Sequence, residues 1–316
     1  MDILDNCSIT TGCIASKNKT FIIVMNDELA QKQEQHGIPL LFKNGVWFPV
    51  SCEPIFPWIG AGVTNLGEDS SSVVFVGWGG QALVVDGDTC EREAILRENS
   101  LNCSVVRSVV TIENSQFIAG MRREVYKRTK EKSWVEIDHD VIYQGDKIDI
   151  GFNTINGFNC SEVYAAGANG EIWRYDSKKW FEVQAPTNVH LHALCCASDG
   201  YVYIGGTAGV IIRGRYNDWE VLGFDTRETI WDIHCFKGEL YLITNEGLFK
   251  YKDESFEKIQ DDLLDYRDFL CISSKKDTMI VFGLKRIVEY DGTTWSECSY
   301  TLSDTCKDSP ILEFIQ

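Results

Sequence analysis

Short apolar runs separated by glycine-containing turns recur along most of the chain. Clear examples are SVVFVGWGGQALVV (72–85), EVYAAGANGEIWRY (162–175) and YVYIGGTAGVIIRG (201–214). Apolar residues tend to alternate with other residues, and Val, Ile, Tyr and Phe are enriched, which is typical of β-strands. The glycines between the runs suit tight turns that need positive backbone angles. Each stretch therefore predicts a strand, a turn and a second strand.

Each of these hairpins belongs to a longer repeating unit. A further apolar segment precedes the hairpin, and a strand that begins with an aromatic residue follows it. The anchor positions recur about every 40 residues and are Trp47, Cys90 (where the aromatic is replaced), Trp134, Trp180, Trp219, Phe256 and Trp295. Four short strands repeated seven times at this spacing are the sequence signature of a β-propeller. We predict an all-β fold, a seven-bladed β-propeller of four-stranded antiparallel blades, with each anchor packed between neighbouring blades.

The repeats divide the chain into blades of similar length within a single domain spanning residues 1–316. The predicted blades cover residues 7–51, 58–96, 104–139, 150–185, 190–224, 228–261 and 269–299. We expect the C-terminal tail, residues 300–316, to return to a sheet edge and help to close the ring. The one helical pattern is NDELAQKQEQHG (26–37), a polar insertion in the first unit.

The composition describes a globular and strongly acidic chain. Of 316 residues, 44% are hydrophobic, and 47 acidic against 30 basic residues give a net charge of −17. Such a field repels nucleic acid and anionic membranes and attracts basic partners, although it could also serve solubility alone. No apolar run approaches the roughly 18 residues of a membrane-spanning helix. We therefore expect neither nucleic acid nor membrane as a partner.

The twelve cysteines show no CxxC spacing. Several lie in apolar strand-like runs, among them Cys195, Cys196, Cys235 and Cys271. The N-terminal segment MDILDNCSITTG has neither the basic region nor the apolar core of an export signal. We expect a cytoplasmic location, with the thiols reduced and serving as small core residues. Clustered Cys and His at zinc-ligand spacing are absent from the sequence.

The sequence contains no G-x-S-x-G, P-loop or H-E-x-x-H motif, and GWGGQ (77–81) reads as a hairpin turn. His190 and His192 share a face of a predicted first strand, and His234 holds a similar place in the next blade, near Asp232. First strands line the channel of a propeller, so these groups could converge on a metal ion or make ordinary hydrogen bonds. We favour hydrogen bonding and expect no catalytic residue, metal or cofactor.

Carboxylates cluster in residues 136–149 and 253–268, which include predicted connections between blades. These connections share one rim with the second-to-third-strand turns, where acidic loops and an exposed tryptophan could bind a basic protein. The alternative is a merely solvated rim. The predicted partner-binding residues are Trp58, Glu68, Asp69, Asp138, Asp140, Asp146, the acidic member of the Arg227–Glu228 pair, Trp231, Asp232, Asp261, Asp262 and Asp265.

The hairpins with glycine turns, together with the phrase YDGTTW (290–295), resemble the WD-repeat, YVTN and Asp-box group of bacterial propellers over nearly the whole chain. Asp boxes carry Asp-x-Gly, whereas Asp291 and Gly292 are adjacent, which argues against the sialidase-like glycosidases. The Gly-His and Trp-Asp dipeptides of eukaryotic WD repeats are absent as a series. This resemblance concerns the fold alone.

Units such as VYAAGANGEIWRYDSKKW (163–180) in an acidic propeller also resemble the immunity proteins of polymorphic toxins, of the Rhs type and of type VI secretion. The resemblance implies a non-enzymatic protein that binds one cognate, basic toxin domain and covers its active site with an acidic face. Two alternatives remain at this point. One is a general scaffold for several partners, and the other is a hydrolase or lyase with a site in the channel.

Overall fold

The computed structural model describes residues 3–16, 18–50, 56–67, 70–95, 105–129, 133–145, 149–298 and 301–303. These residues form seven sheets, each containing four consecutive antiparallel strands. The first strand of every blade contacts the first strand of the next, and the first strand of the seventh blade contacts that of the first. The sheets thus surround a central channel, and the predicted all-β, seven-bladed propeller is confirmed.

The strands follow one another in the same order in every blade, from the channel to the outside. The first three blades contain β1 (Cys7–Ser16), β2 (Lys19–Asn26), β3 (Ile38–Lys43), β4 (Val46–Pro49); β5 (Gly60–Asn65), β6 (Val73–Gly77), β7 (Gln81–Asp86), β8 (Thr89–Ala94); and β9 (Val106–Ile112), β10 (Ser115–Gly120), β11 (Val125–Arg128), β12 (Trp134–Glu136).

The remaining blades have the same layout. They contain β13 (Phe152–Asn159), β14 (Glu162–Gly167), β15 (Ile172–Tyr175), β16 (Trp180–Val183); β17 (Leu191–Cys196), β18 (Val202–Gly206), β19 (Ile211–Arg215), β20 (Asp218–Leu222); β21 (Asp232–Phe236), β22 (Glu239–Thr244), β23 (Gly247–Lys252), β24 (Ser255–Lys258); and β25 (Phe269–Lys275), β26 (Thr278–Gly283), β27 (Ile287–Tyr290), β28 (Trp295–Glu297). A last strand, β29, covers Thr301–Leu302.

In the described residues, helical structure is confined to single turns and one short helix. The helix α1 spans Asp27–Gln31, and the Asn26 side chain caps it by accepting a hydrogen bond from Leu29 N. The 3-10 turns are Ile3–Asp5, Ala168–Gly170, Thr207–Gly209 and Asp262–Leu264. The helical pattern at 26–37 is therefore longer than the helix it forms. Among the described residues, no helix has the length and apolar character needed to cross a membrane.

Burial follows the position of a strand within its blade. The second strands β6, β14 and β26 are buried at every residue. Both faces of a second strand pack against neighbouring blades, so its apolar residues run nearly without interruption. The outer strand β8 is largely exposed. This gradient explains why the hairpin formed by the second and third strands carries the strongest sequence signal.

Seven clusters of apolar side chains lie between consecutive blades, and an anchor residue belongs to or packs against each cluster. Starting from the interface between the seventh and first blades, the anchors in order around the ring are Trp47, Cys90, Trp134, Trp180, Trp219, Phe256 and Trp295. Each anchor therefore fills the space between its own blade and the preceding one. The predicted packing role of the anchors is confirmed.

Trp180 shows how an anchor joins two blades. Its side chain is 5% exposed and packs on Phe152 and Tyr175, with ring centroids 6.0 and 5.1 Å away. Its indole Nε1 donates a hydrogen bond of 2.7 Å to the Ile137 carbonyl, which follows the last strand of the preceding blade. The apolar ring fills the interface while its single polar group has a partner across it.

An ion pair supports the equivalent contact of the third blade with the second. Trp134 Nε1 donates to Glu93 Oε2 at 2.9 Å, and the same carboxylate receives hydrogen bonds from Nε and NH2 of Arg128. Both charged side chains are nearly buried. Because the guanidinium and the indole together satisfy the carboxylate, this buried charge has the partners that it requires.

A Tyr-Asp pair, Tyr175-Asp176 in the fourth blade and Tyr290-Asp291 in the seventh, leads into the turn between the third and fourth strands. Asp176 Oδ1 accepts hydrogen bonds from Lys178 N and Lys179 N, both at 2.9 Å. Asp291 Oδ1 bonds Thr293 and Thr294 in the same way. These hydrogen bonds lower the pKa of both carboxyls. The aspartate thus sets the turn that precedes the anchor.

Glycine is required at the turn between the second and third strands of the fourth and fifth blades. Gly170 and Gly209 have φ values of 76° and 72°. A Cβ atom at either position would collide with the carbonyl oxygen of Thr187 or Thr226, in the connection to the next blade. The turn glycines therefore allow both the backbone angle and the close approach of that connection.

The ring is closed at two places. β29 adds a fifth strand to the first blade, parallel to β4, so residues 301–302 of the predicted tail lie on its outer edge. On the opposite side of that blade, Ile9 N donates to the Leu284 carbonyl at 2.9 Å. Lys285 Nζ bonds the Cys7 carbonyl at 3.0 Å and also pairs with Asp27. The strand pairing on the outer edge and the hydrogen bonds to the seventh blade join segments that are distant in sequence, which is why sequence patterns do not reveal them.

Eight described cysteines carry free thiols and are buried or half-buried. Burial raises the pKa of the Cys13 thiol to about 11, which keeps it protonated. Cys90 differs, because it is disulfide-bonded. The expectation of reduced core thiols therefore holds for these eight and is wrong for Cys90.

We predict that Trp180→Ala lowers the free energy of unfolding by about 3–5 kcal/mol, because it removes a large buried ring and leaves a cavity between two blades. Urea unfolding followed by fluorescence and circular dichroism measures the change. Val221→Ala on an outer strand, where the side chain is 53% exposed, is the control and should change stability by about 0.5 kcal/mol or less. Equal effects of the two substitutions would contradict the anchor role.

Candidate protein-binding rim

The antiparallel order of the strands divides the connections between two ends of the ring. The upper rim, as we define it, contains the connections between blades and the turns between second and third strands. The lower rim contains the turns between first and second and between third and fourth strands. Helix α1 lies on the upper rim, since it links β2 to β3.

The channel contains a cavity of about 610 Å³ lined by residues of all seven first strands. Side chains join these strands across blade boundaries. Asn65 Nδ2 donates to the Ile14 carbonyl at 2.8 Å, and Ile14 N donates to Ser273 Oγ at 3.1 Å. Asn156 Nδ2 bonds the Leu194 carbonyl at 3.3 Å. These polar groups connect first strands of neighbouring blades and stabilise the wall of the channel.

Asp232 and His234 take part in the same connections. The Asp232 carboxylate accepts hydrogen bonds from Ile233 N at 2.8 Å and from Ile272 N of the next blade at 2.7 Å. Burial raises the pKa of this carboxyl to about 7. His234 Nε2 lies 2.7 Å from Ser274 Oγ, and burial lowers the pKa of its imidazole to about 4. Both side chains join the sixth blade to the seventh.

The three histidines do not converge on one point. His190 is exposed ahead of β17, and the His192 ring packs against Trp231 with centroids 5.6 Å apart. The pairing of β17 with β18 shifts register between Leu191 and Ala193. Such an irregularity breaks the strict alternation of side chains on which the shared face was predicted. Of these three histidines, His234 lines the channel cavity, and His190 and His192 do not.

Potential metal ligands come together elsewhere. In the part of the chain that the structure describes, one group of three has ligand atoms within 4.8 Å of one another: Glu136, Asp138 and His139. Asp138 in this group is fully buried and accepts a hydrogen bond from Val125 N at 3.0 Å. This hydrogen bond holds the start of β11, which gives Asp138 a structural role.

Exposed apolar side chains distinguish the two rims better than charge does. Acidic residues outnumber basic ones in the described connections of both rims. Of the nine exposed large hydrophobic residues in the described parts of the chain, the upper rim carries five: Trp78, Val105, Trp231, Tyr266 and Leu284. The lower rim carries Tyr201 and Tyr216. Exposed aromatic residues are enriched at binding surfaces, so the upper rim is the better candidate.

The predicted partner-binding residues differ in their accessibility. The carboxylates of Asp138 and Asp232 accept hydrogen bonds from backbone amides within the protein. Trp58 is half-buried and stacks on Phe56, with ring centroids 3.9 Å apart. Upper-rim connections hold the remaining described candidates: Asp140, Glu228, Trp231, Asp261, Asp262 and Asp265.

Three of the predicted residues, Glu68, Asp69 and Asp146, lie outside the described residues. The neighbours of the first two, Gly67 and Ser70, belong to the connection between β5 and β6 on the lower rim.

Trp231 has the most ordered surroundings of the exposed candidates. Its indole is 45% exposed, and its Nε1 donates to Asn245 Oδ1 at 2.8 Å. Asn245 Nδ2 in turn donates to Glu228 Oε2 at 2.8 Å. Neither Asn245 nor His192 was among the predicted binding residues. Asn245 occupies the second-to-third-strand turn of the same blade, a position that the repeat pattern could have identified.

Comparison with known proteins supports the predicted fold and the resemblance of this chain to immunity proteins. No protein-family model matches the sequence. The chain is 29% identical over 293 residues to "Immune protein Tsi7" of Pseudomonas aeruginosa. The aligned region covers 90% of this chain and 95% of that protein. The resemblance to immunity proteins, stated above from the repeats, is confirmed by this similarity.

Solved structures with low sequence identity share the fold alone. Virginiamycin B lyase from Staphylococcus aureus is 11% identical with a TM-score of 0.64, over 89% of this chain and 93% of that one. The WD40 repeats of RRP9 are 9% identical with a TM-score of 0.65, over 87% of each chain. The WD40 propeller domain of Doa1 is 13% identical with a TM-score of 0.64, over 90% and 92%.

We predict opposite pH effects of Asp232 and His234 on stability. In the folded protein Asp232 keeps its proton up to about pH 7, whereas in the unfolded chain it ionises near pH 4. Its contribution to the free energy of unfolding is therefore lost as pH rises through this range. His234 stays neutral down to about pH 4 when folded but protonates near pH 6.5 when unfolded, so its contribution is lost as pH falls.

The measurement is urea unfolding of the unaltered protein and two variants at several pH values between 4.5 and 6.5. Relative to the unaltered protein, Asp232→Asn should gain stability as pH rises, and His234→Gln should gain stability as pH falls. The difference from the unaltered protein removes the background of surface carboxylates. Differences that stay constant with pH would show that neither group has the predicted titration.

Proposed function

We propose that this protein is an immunity protein that binds a cognate toxin domain and covers its active site. The observation that carries the proposal is the 29% identity to the Pseudomonas aeruginosa immune protein, which extends over 90% of this chain. Because 95% of that relative is also covered, the similarity includes the whole ring and is not limited to a few repeats.

The channel geometry supports binding in preference to chemistry. Asp232 and His234, the groups that an enzyme of this fold would most plausibly use, are hydrogen-bonded to neighbouring strands. The described histidines do not meet at one site. Covering the active site of another protein needs no catalytic group, only a complementary surface of about 800 Å² on each partner.

Charge favours a basic partner. The net charge of −17 attracts a positively charged surface, and complementary charge accelerates association. Toxin domains that act on nucleic acids or nucleotides need a basic cleft for their substrates, and such a cleft could pair with an acidic rim. We therefore propose a one-to-one complex with a basic toxin domain of this kind.

The proposal predicts that this protein protects a cell from one toxin. The C-terminal toxin domain encoded next to its gene should stop growth when expressed alone in a heterologous host, and co-expression of this protein should restore viable counts. A propeller of similar size from an unrelated source provides the control. A toxin domain that is harmless alone, or that stays lethal in the presence of this protein, would contradict the proposal. Affinity capture of several unrelated proteins would instead favour a general scaffold.

A further inference from the structure

One part of the upper rim combines exposed apolar side chains with carboxylates. We call it the blade 5–7 sector and define it by residues 223–231, 245–246, 259–268 and 284–286. It contains Trp231, Tyr266 and Leu284, three of the five exposed large hydrophobic residues of the upper rim. The connections that carry them are consecutive along the ring, so the three side chains belong to neighbouring positions on one side of the rim.

Carboxylates predominate in this sector. They belong to Asp225, Glu228, Glu246, Asp261, Asp262, Asp265 and Asp268. Two of the basic residues there have partners within the protein: Lys285 pairs with Asp27, and the Arg286 guanidinium lies over the Tyr266 ring. The other two, Arg227 and Arg267, are exposed, so seven carboxylates against these two cations leave the sector acidic around its apolar side chains.

The acidic connection before the seventh blade has a defined backbone. Asp261 caps the 3-10 turn Asp262–Leu264 by accepting a hydrogen bond from Leu263 N at 2.9 Å. Leu264 is fully buried and fixes the turn to the core between the sixth and seventh blades. Asp262 and Asp265 on either side of it are exposed. The turn thus presents carboxylates from an anchored segment.

Trp231 is held in place before any partner binds. Its backbone N donates to the Ile243 carbonyl at 2.9 Å, and its indole Nε1 is fixed by Asn245, which Glu228 holds in turn. A side chain that is already ordered loses little conformational entropy on binding, which is a property of binding hot spots. The hydrogen bonds leave the 45% exposed indole available for contact.

The ring of Trp231 also differs from other aromatic rings of the upper rim in its stacking partner. Arg107 lies 5.3 Å from the centroid of Trp78, and Arg286 covers Tyr266. Within the described residues, Trp231 has no such cation; its neighbour is His192, whose pKa is lowered by burial, so the imidazole is neutral near pH 7. An exposed indole beside carboxylates, without a cation of its own, is suited to bind a lysine or arginine from another protein.

We infer that the blade 5–7 sector is the docking surface for the toxin and that Trp231 binds a lysine or arginine side chain of that partner. This inference rests on the proposed function and adds to it the place and the chemistry of recognition. The carboxylates of Glu228 and Asp262, and that of Asp265, which also pairs with Lys258 at 3.2 Å, belong to the same sector and attract the basic surface around that side chain. Tyr266 and Leu284 extend the apolar contact.

The experiment measures the affinity of the purified protein for its toxin domain, which carries a substitution that removes toxicity. Trp231→Ala should weaken binding by about 30-fold or more, in the range of interface hot spots. Trp231→Leu keeps an apolar side chain but removes the aromatic face, so it should also weaken binding. Asp262→Lys should slow association and reduce its dependence on salt concentration.

Tyr201→Ala is the matched control, because Tyr201 is 46% exposed on the lower rim. Its affinity should equal that of the unaltered protein. Circular dichroism and thermal unfolding establish that each variant is folded, which is expected for exposed side chains. Growth protection by each variant in co-expression provides a second readout.

Each result separates the inference from the function on which it rests. Tight binding by the unaltered protein and by Trp231→Ala alike would overturn the docking site and leave the immunity function standing. A loss of affinity in Tyr201→Ala, with Trp231→Ala unaffected, would place recognition on the lower rim and also overturn it. Failure of the unaltered protein to bind or neutralise the toxin would overturn the proposed function and the docking site together.

Discussion

The structure depends on the packing of apolar faces between consecutive blades. A single four-stranded sheet exposes both faces, and each face must be covered by a neighbour, which only a closed ring provides for every blade. The anchor side chains complete this packing at each of the seven interfaces. The hydrogen bonds of Trp134 and Trp180 across their interfaces show that these contacts also fix the orientation of one blade relative to the next.

The repeat period made the architecture predictable from the sequence. Strand alternation, turn glycines and regular spacing act locally, so each unit can be recognised without knowledge of its neighbours. Even Cys90 could be placed by spacing alone, although its disulfide could not. The contacts between Lys285 and the first blade and the pairing of β29 with β4 depend on ring closure. No local pattern encodes such contacts.

The candidate site was less predictable, for reasons visible at particular residues. The pairing of β17 shifts register beside Leu191, and the His192 ring packs against Trp231, whereas strict alternation predicted a face shared with His190. Asp138 lies in an acidic connection, yet it is buried, and its carboxylate accepts a hydrogen bond from Val125 N. Sequence shows that a residue is charged, but its solvent exposure depends on which backbone donors lie near it. Trp231 was predicted as a candidate, whereas the hydrogen bonds that order it required coordinates.

Hydrogen–deuterium exchange on the protein alone and with its inactivated toxin domain tests most directly whether a rigid propeller binds its partner through one rim. Our account predicts slower exchange of backbone amides in the upper-rim connections 223–231 and 259–268, with little change at the lower-rim turn 197–201. Protection confined to lower-rim turns, or no protection on addition of the toxin, would contradict it.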